Sequence, residues 1–275
     1  MVPAIVFVAI GAIVLFLLVL IYLLYVVGCF TCCDSWDYER EKQRLIEDQQ
    51  KITRVTGNER IDLLIHKMSD FNVPYDELEF GDLLGKGSQG EVYLAQWRGT
   101  TIAVKKVDTT NIEPTTVEEF CQEASMMRHM HHYSLTQFLG ISFQSHALCI
   151  LTEYVERGSL FDIIQDTKST YTWQRGIDVM TDVARGMHYL HSHKPPILHR
   201  DLKSLNILVT RDWRGKIADF GMTRFQDPDA AIVMTQCGSP YWMAPEMIQN
   251  LTYDEKSDVY SFGVCLWEIY TRQIP

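Results

Sequence analysis

Residues 199–206 of the chain read HRDLKSLN and lead directly into the apolar run ILV. Thirteen residues after Asn206 comes the triplet DFG at residues 219–221, and 25 residues after Asp219 comes APE at residues 244–246. Each motif is short and weak evidence by itself, so their order and spacing carry the interpretation.

A glycine-rich segment precedes them, at residues 85–92 (GKGSQGEV). Its glycines let backbone amides approach phosphate oxygens without a side chain in the way. A dinucleotide-binding fold uses the same glycine spacing, but it requires a helix directly after the last glycine. Here the β-prone runs 91–95 and 101–105 follow instead. The segment therefore predicts a β-hairpin that covers phosphate groups.

Lys105 ends the second of these β-prone runs, and a lysine in an apolar wall needs an anionic partner. Residues 116–119 (TVEE) match a capping box that opens a helix. On that helix Glu123 shares a face with the apolar Ala124 and Met127. Because an unpaired carboxylate on such a face is costly, the sequence favours an ion pair between Lys105 and Glu123. The alternative is a solvated glutamate at the edge of the face.

These segments, in this order, resemble the signature segments of the eukaryotic protein kinase family. The resemblance covers residues 78–275 and implies an α+β, two-lobed protein kinase fold, with a small β-rich N-lobe and a larger helical C-lobe. It also implies ATP and Mg²⁺ as cofactors. Lys105 would hold the α- and β-phosphates, and Glu123 would be its partner on a mobile helix.

The resemblance assigns further roles near the HRDLKSLN segment. Asp201 would accept the proton of the substrate hydroxyl, and Lys203 would steady the γ-phosphate. Asn206 and Asp219 would be the two magnesium ligands. A pseudokinase, which binds partners without catalysis, is the alternative. Pseudokinases normally lack the lysine or one of these aspartates, and this chain has them all.

The run at residues 150–155 (ILTEYV) resembles the hinge that receives adenine in this family. Thr152 would be the gatekeeper, and the Glu153 carbonyl and the Val155 amide would bind adenine by hydrogen bonds. The resemblance implies that further residues contact the nucleotide: Leu84, Gly85, Gly87, Gly90, Val92, Ala103 and Leu208.

Two regions indicate the branch of the family. Lys203 and residues 238–246 (GSPYWMAPE) resemble serine/threonine kinases, whereas residues 257–264 (SDVYSFGV) are similar to tyrosine kinases. Together they resemble the tyrosine-kinase-like group, whose members mostly phosphorylate serine and threonine. Protein substrates with Ser or Thr hydroxyls are therefore expected.

The N-terminal 33 residues contain no Asp, Glu, Lys or Arg. The apolar run at residues 4–27 would span about 36 Å as a helix, enough for a hydrocarbon core of about 30 Å. Arg40, Lys42 and Arg44 follow the run and no cation precedes it, which places the rest of the chain in the cytosol. A signal peptide fits less well because a basic start and a cleavage site are missing. We therefore expect a single-pass anchor in the lipid bilayer.

The sequence divides into three parts. Residues 1–33 comprise the anchor and a cluster of cysteines at residues 29, 32 and 33, which are either S-acylation sites or idle thiols. Residues 34–77 are charge-dense at their start and predict a cytosolic helical stem or linker, with too few heptads to decide on dimerisation. Residues 78–275 form the kinase-like part.

Charge and length add two expectations. The chain has 25 Lys and Arg against 35 Asp and Glu, a net charge of −10, and nucleic-acid binding is not expected because phosphate contacts need cations.

The kinase-like part is shorter than the domain of the family, so we expect a C-lobe that lacks its final helices. The helix that contains Tyr260, Phe262, Val264, Leu266 and Trp267 would then lose part of its apolar cover, which would leave a large exposed patch. A fragment of a larger receptor kinase is a further alternative.

Overall fold

The computed structural model describes residues 66, 68–87, 90–107, 114–144, 147–225, 239–249 and 254–275. The predicted anchor, the three cysteines beside it and most of the predicted linker lie outside these residues. Among the helices that the structure does describe, none is both long and apolar enough to cross a membrane. The anchor therefore stays a prediction.

An antiparallel five-stranded sheet forms the N-terminal lobe, with strand order β1-β2-β3-β5-β4. Its strands are β1 (Glu79–Gly87), β2 (Gly90–Trp97), β3 (Thr100–Val107), β4 (Phe138–Gln144) and β5 (Ala147–Glu153). Gly87 pairs with Gly90, so the glycine-rich segment joins two strands as predicted. On β3, Ile102 and Val104 are fully buried, which is the period-two pattern of a strand with a covered face.

One helix, α1 (Pro114–His129), packs against the sheet. Its predicted face is buried, and the ring of Phe120 lies 5.8 Å from that of Phe143 on β4. The capping box predicted at residues 116–119 is wrong, because the helix already begins at Pro114. Proline suits the first turn because its missing N–H would have no partner inside the helix.

Helices dominate the C-terminal lobe, as predicted. They are α2 (Leu160–Gln165), α3 (Trp173–His191), α4 (Pro245–Ile248) and α5 (Glu255–Thr271). Two short antiparallel strand pairs lie in the same lobe. Strand β6 (Ile197–Leu198) pairs with β9 (Arg224–Phe225), and β7 (Ile207–Val209) pairs with β8 (Gly215–Ile217). Thr172 caps α3, its hydroxyl accepting the N–H of Arg175. On α5, Tyr260 and Trp267 are 46% and 42% exposed, whereas Phe262, Val264 and Leu266 are partly buried and pack against the core. Only part of the predicted apolar surface is therefore exposed.

Residues 68–77, here called the N-terminal strap, wrap around the β4 edge of the sheet. Met68 belongs to the buried cluster that contains the inner face of α1, and Val73 belongs to the cluster on the opposite face of the sheet. The strap contains two short 3₁₀ turns, Ser69–Phe71 and Tyr75–Glu77. The strap lies at the end of the predicted linker, and its buried side chains help to build the core.

Candidate active site

Lys105 on β3 joins the two lobes. Its Nζ lies 2.8 Å from Oε1 of Glu123 on α1. It also lies 3.0 Å from Oδ1 of Asp219, a residue that comes shortly after β8. Val92 lies opposite Lys105 on the neighbouring strand. The ion pair predicted between Lys105 and Glu123 is present, and its glutamate is buried rather than solvated.

Burial and charge set the protonation of these three groups. Burial raises the pKa of the Glu123 carboxyl, and the Lys105 ammonium acts in the opposite direction. Burial alone would lower the pKa of Lys105, but the carboxylates of Glu123 and Asp219 outweigh it, and the pKa lies above its ordinary value. Burial would raise the pKa of Asp219, but Lys105 outweighs it and the pKa is lowered. Lys105 is therefore a cation and Asp219 an anion at neutral pH.

Asp219 adopts a left-handed backbone conformation, with φ of 61°. Aspartate and asparagine tolerate this region better than most side chains. The next residue, Phe220, is buried, and its ring packs edge-on against His199 at 5.6 Å. The Ala218 N–H donates to the carbonyl of Asn206 at 2.9 Å, which fixes the Asp219 segment beside the HRDLKSLN loop.

The carboxylate of Asp201 is held on several sides. Asn206 Nδ2 donates to the Asp201 carbonyl at 2.8 Å and to its Oδ2 at 3.1 Å, and Lys203 Nζ donates to the same Oδ2 at 2.7 Å. The N–H of Ser239 donates to Asp201 Oδ1 at 2.9 Å, and its hydroxyl accepts from Lys203 Nζ at 2.8 Å. The sequence placed Ser239 in a segment that resembles a substrate-binding loop but did not predict its bonds to Asp201 and Lys203. Its position in the GSPYWMAPE segment was the available signal.

Asp258 on α5 supports the HRDLKSLN loop from within the C-terminal lobe. Its Oδ2 accepts the N–H of His199 and its Oδ1 that of Arg200, both at 2.9 Å, and His191 Nε2 lies 2.9 Å from Oδ2. Sequence reasoning missed this role. The signal was a charge on a helix with many apolar residues, which is the argument that identified Glu123.

The predicted hinge comprises the end of β5 and the two residues after it. Thr152 pairs with Ala103 on β3, and Glu153 ends the strand. Glu153 Oε1 accepts the Gln137 N–H and the Lys216 Nζ of β8, each at 2.7 Å. The ion pair ties the hinge to the strand that leads to Asp219. The sequence missed Lys216, and no local pattern there points to a hinge partner.

The other predicted nucleotide-contact residues lie on four strands: Leu84, Gly85 and Gly87 on β1, Gly90 and Val92 on β2, Ala103 on β3, and Leu208 on β7. The Arg157 N–H donates to the Val209 carbonyl and the Val209 N–H to the Gly158 carbonyl, both at 3.0 Å. These bonds bring the chain after Val155 next to the strand of Leu208. Leu84 is 44% exposed, and its strand β1 forms the edge of the sheet that is opposite to β4.

Residues 78–275 match the family model for protein tyrosine and serine/threonine kinases. The chain belongs to the protein kinase family. The segment 78–275 is therefore its kinase domain, and the N-terminal strap precedes it.

Two serine/threonine-protein kinases illustrate the similarity of this domain to known proteins. "Probable serine/threonine-protein kinase drkA" of Dictyostelium discoideum is 44% identical over 204 residues, which are 74% of this chain and 32% of drkA. "Serine/threonine-protein kinase CTR1" of Arabidopsis thaliana is 39% identical over 208 residues, 75% of this chain and 25% of CTR1. The matched part of the chain thus spans about a third or less of the length of these relatives.

The residues of the kinase domain fit a magnesium ion. Asn206 uses Nδ2 toward Asp201, so its amide oxygen is the atom left to act as a ligand. The lowered pKa of Asp219 keeps its carboxylate ionised. Both are hard oxygen donors of the kind that Mg²⁺ binds together with nucleotide phosphates.

Proposed function

We propose that this chain is a protein serine/threonine kinase of the tyrosine-kinase-like group, which transfers the γ-phosphoryl group of ATP to Ser and Thr hydroxyls of proteins. The observation that carries the proposal is the Asp201 carboxylate, held by Lys203, Asn206 and Ser239 at 2.7–3.1 Å. The Lys105 contacts across the lobes support it. A pseudokinase has less support, because every predicted catalytic side chain is present and contacts another predicted catalytic side chain.

Asp201 and Lys203 act on the reacting oxygen atoms. The substrate hydroxyl oxygen bonds to the γ-phosphorus while the bond from that phosphorus to the β,γ-bridging oxygen breaks, and Asp201 takes the hydroxyl proton. The Lys203 ammonium, fixed by Asp201 and Ser239, stabilises the charge on the transferred group. Their mutual hydrogen bonds keep both groups in position before the substrate binds.

The remaining residues bind and orient ATP. Lys105 would hold the α- and β-phosphates, and Asn206 and Asp219 would hold Mg²⁺. When bound, the ion neutralises phosphate charge. The Glu153 carbonyl and the Val155 amide bind adenine.

We also propose that the run at residues 4–27 anchors the kinase in a membrane, with the domain in the cytosol. Its support is the apolar length and the position of the flanking cations.

Asp201→Asn and Asp219→Asn test the kinase activity. We expect kcat to fall by about 10²- to 10⁴-fold for Asp201→Asn, because a positioned base contributes about that much. Asp219→Asn should also weaken Mg²⁺-dependent ATP binding, and Asp201→Asn should do so less. The measurement is phosphate transfer from labelled ATP to a protein mixture, followed by phosphoamino-acid analysis.

Asp212→Asn is the matched control, because Asp212 is exposed in a turn of the same lobe. Its turnover should equal that of the unmodified chain. Equal turnover in Asp201→Asn and Asp212→Asn would contradict the assignment of Asp201, and label on tyrosine alone would contradict the substrate class.

A further inference from the structure

The N-terminal strap contacts the helix that carries Glu123. Met68 is 1% exposed and belongs to the same buried cluster as Val117 and Phe120 of α1. Further along that helix, the Arg128 guanidinium lies 4.4 Å from the ring centroid of Phe71, within the range of a cation–π interaction. The strap therefore contacts α1 through Phe71 and Arg128, and its Met68 shares a buried cluster with the N-terminal half of that helix.

The strap is also fixed to the edge of the sheet. The Val73 N–H donates to the Ile141 carbonyl at 2.7 Å, and the Asn72 Oδ1 accepts the Phe143 N–H at 2.9 Å. Both partners lie on β4, whose other edge pairs with β5. The strap thus occupies hydrogen-bonding positions on the outer edge of this strand.

Gly140 on β4 shows how closely the two segments approach. A Cβ atom at this position would lie 2.8 Å from the Phe71 carbonyl oxygen and 3.2 Å from Val73 Cγ2. The first distance is too short for a real Cβ contact. The strap lies where only a glycine in the edge strand allows it.

We propose that the N-terminal strap is a positioning element of the kinase, which ties α1 to β4 so that Glu123 reaches Lys105. The Glu123 carboxylate and the Lys105 ammonium belong to different elements, so their 2.8 Å contact depends on how α1 lies against the sheet. The strap binds both elements at once. Its residues act through Glu123, and they lie outside the segment that matches the family. The effect of the strap on catalysis rests on the proposed function, whereas its effect on the position of α1 does not.

Hydrogen exchange of the full chain in detergent tests the proposal. Met68→Ser and Phe71→Ala should each raise amide exchange in α1 about tenfold and leave α3 unchanged, because local stability is lost only where the strap packs. Met68→Leu keeps the apolar volume and should restore protection of α1. Asp70→Asn is the matched control, since Asp70 is an exposed strap residue.

Gly140→Ala tests the same contact from the sheet. It should displace the strap and raise exchange in α1 as Phe71→Ala does. Gly81→Ala on β1 is its control, because a Cβ there would lie 3.4 Å from the nearest atom, the Leu94 carbonyl oxygen. It should leave α1 unchanged.

Kinase activity gives a second measurement. Phe71→Ala should lower kcat in the unmodified chain but cause no further loss in a Glu123→Gln background, because the strap acts through that carboxylate. Unchanged exchange in α1, equal increases in α1 and α3, or failure of Met68→Leu to restore protection would each overturn the proposal. A change in α1 without phosphoryl transfer in any variant would support the strap and contradict the proposed function instead.

Discussion

Glu268 is a buried carboxylate whose position links two segments of the active site. Its Oε1 accepts the Ser204 hydroxyl and its Oε2 the Trp242 indole N–H, each at 2.7 Å. Ser204 follows Lys203, and Trp242 is three residues from Ser239. Burial raises the pKa of Glu268, although the two hydrogen bonds act in the opposite direction.

Glu268→Gln should change how stability depends on pH. Because the folded chain holds the Glu268 proton more tightly than the unfolded chain, this group stabilises the fold fully below its ordinary pKa of 4.5, and the contribution is lost as pH rises through the folded value. The Glu268→Gln variant lacks this pH-dependent contribution to stability. Urea unfolding at a series of pH values should show the advantage of the unmodified chain shrinking as pH rises. Parallel profiles would contradict the raised pKa.

At the scale of elements, β8 approaches α3 very closely. A Cβ atom at Gly215 would lie 2.5 Å from the Val179 carbonyl oxygen, a backbone atom that cannot swing aside. The Gly215 N–H also donates to Asp182 Oδ2 at 3.2 Å. Since Asp219 follows β8, this contact helps to place the proposed magnesium ligand.

Gly215→Ala should therefore destabilise the chain by about 1–3 kcal/mol, the usual effect of overpacking. Gly263→Ala on α5 is the matched control. Apart from the backbone of its own helix, no atom of the residues that the structure describes lies within 4 Å of a Cβ added there, and alanine should stabilise that helix by about 0.5–1 kcal/mol. Urea unfolding of both variants gives the comparison. A Gly215→Ala chain as stable as the Gly263→Ala chain would show that β8 can move away from α3.

Local patterns were sufficient to predict the glycine-rich hairpin and the pairing of Lys105 with Glu123. The hairpin follows from the β-prone runs around Gly87 and Gly90, and the ion pair follows from the cost of burying either charge alone. The position of the strap was not predictable in this way. Its anchoring groups are a backbone N–H, a single amide side chain and a methionine, none of which forms a periodic pattern.

Contacts between distant residues also escaped sequence reasoning. Lys216 and Glu153 are 63 residues apart, and Lys203 and Ser239 are 36 apart. Such pairs depend on how loops meet after the elements pack, and loop positions have no hydrophobic period.

At the scale of the whole molecule, the predicted anchor can be tested independently of the kinase site. Val14→Arg with Leu18→Arg should move the full chain from the membrane pellet to the soluble fraction after alkaline carbonate extraction. Each arginine near the centre of a membrane helix costs about 2.5–3.5 kcal/mol on insertion scales.

Val14→Ile with Leu18→Ile is the control and should remain in the pellet. Changing the cysteines at residues 29, 32 and 33 to serine separates attachment by acyl groups from attachment by the helix. Retention of the double-arginine chain in the pellet, with these cysteines removed, would contradict the anchor.

The left-handed conformation of Asp219 has a consequence for natural variation. Asparagine accepts this backbone almost as well as aspartate does, and the codons of the two amino acids differ at a single base. One base change therefore removes the carboxylate and leaves the fold nearly unstrained. Under the proposed function, the product would keep its backbone conformation and lose phosphoryl transfer. A bulky β-branched replacement at the same codon should instead lower the amount of folded protein, because such side chains tolerate this backbone poorly.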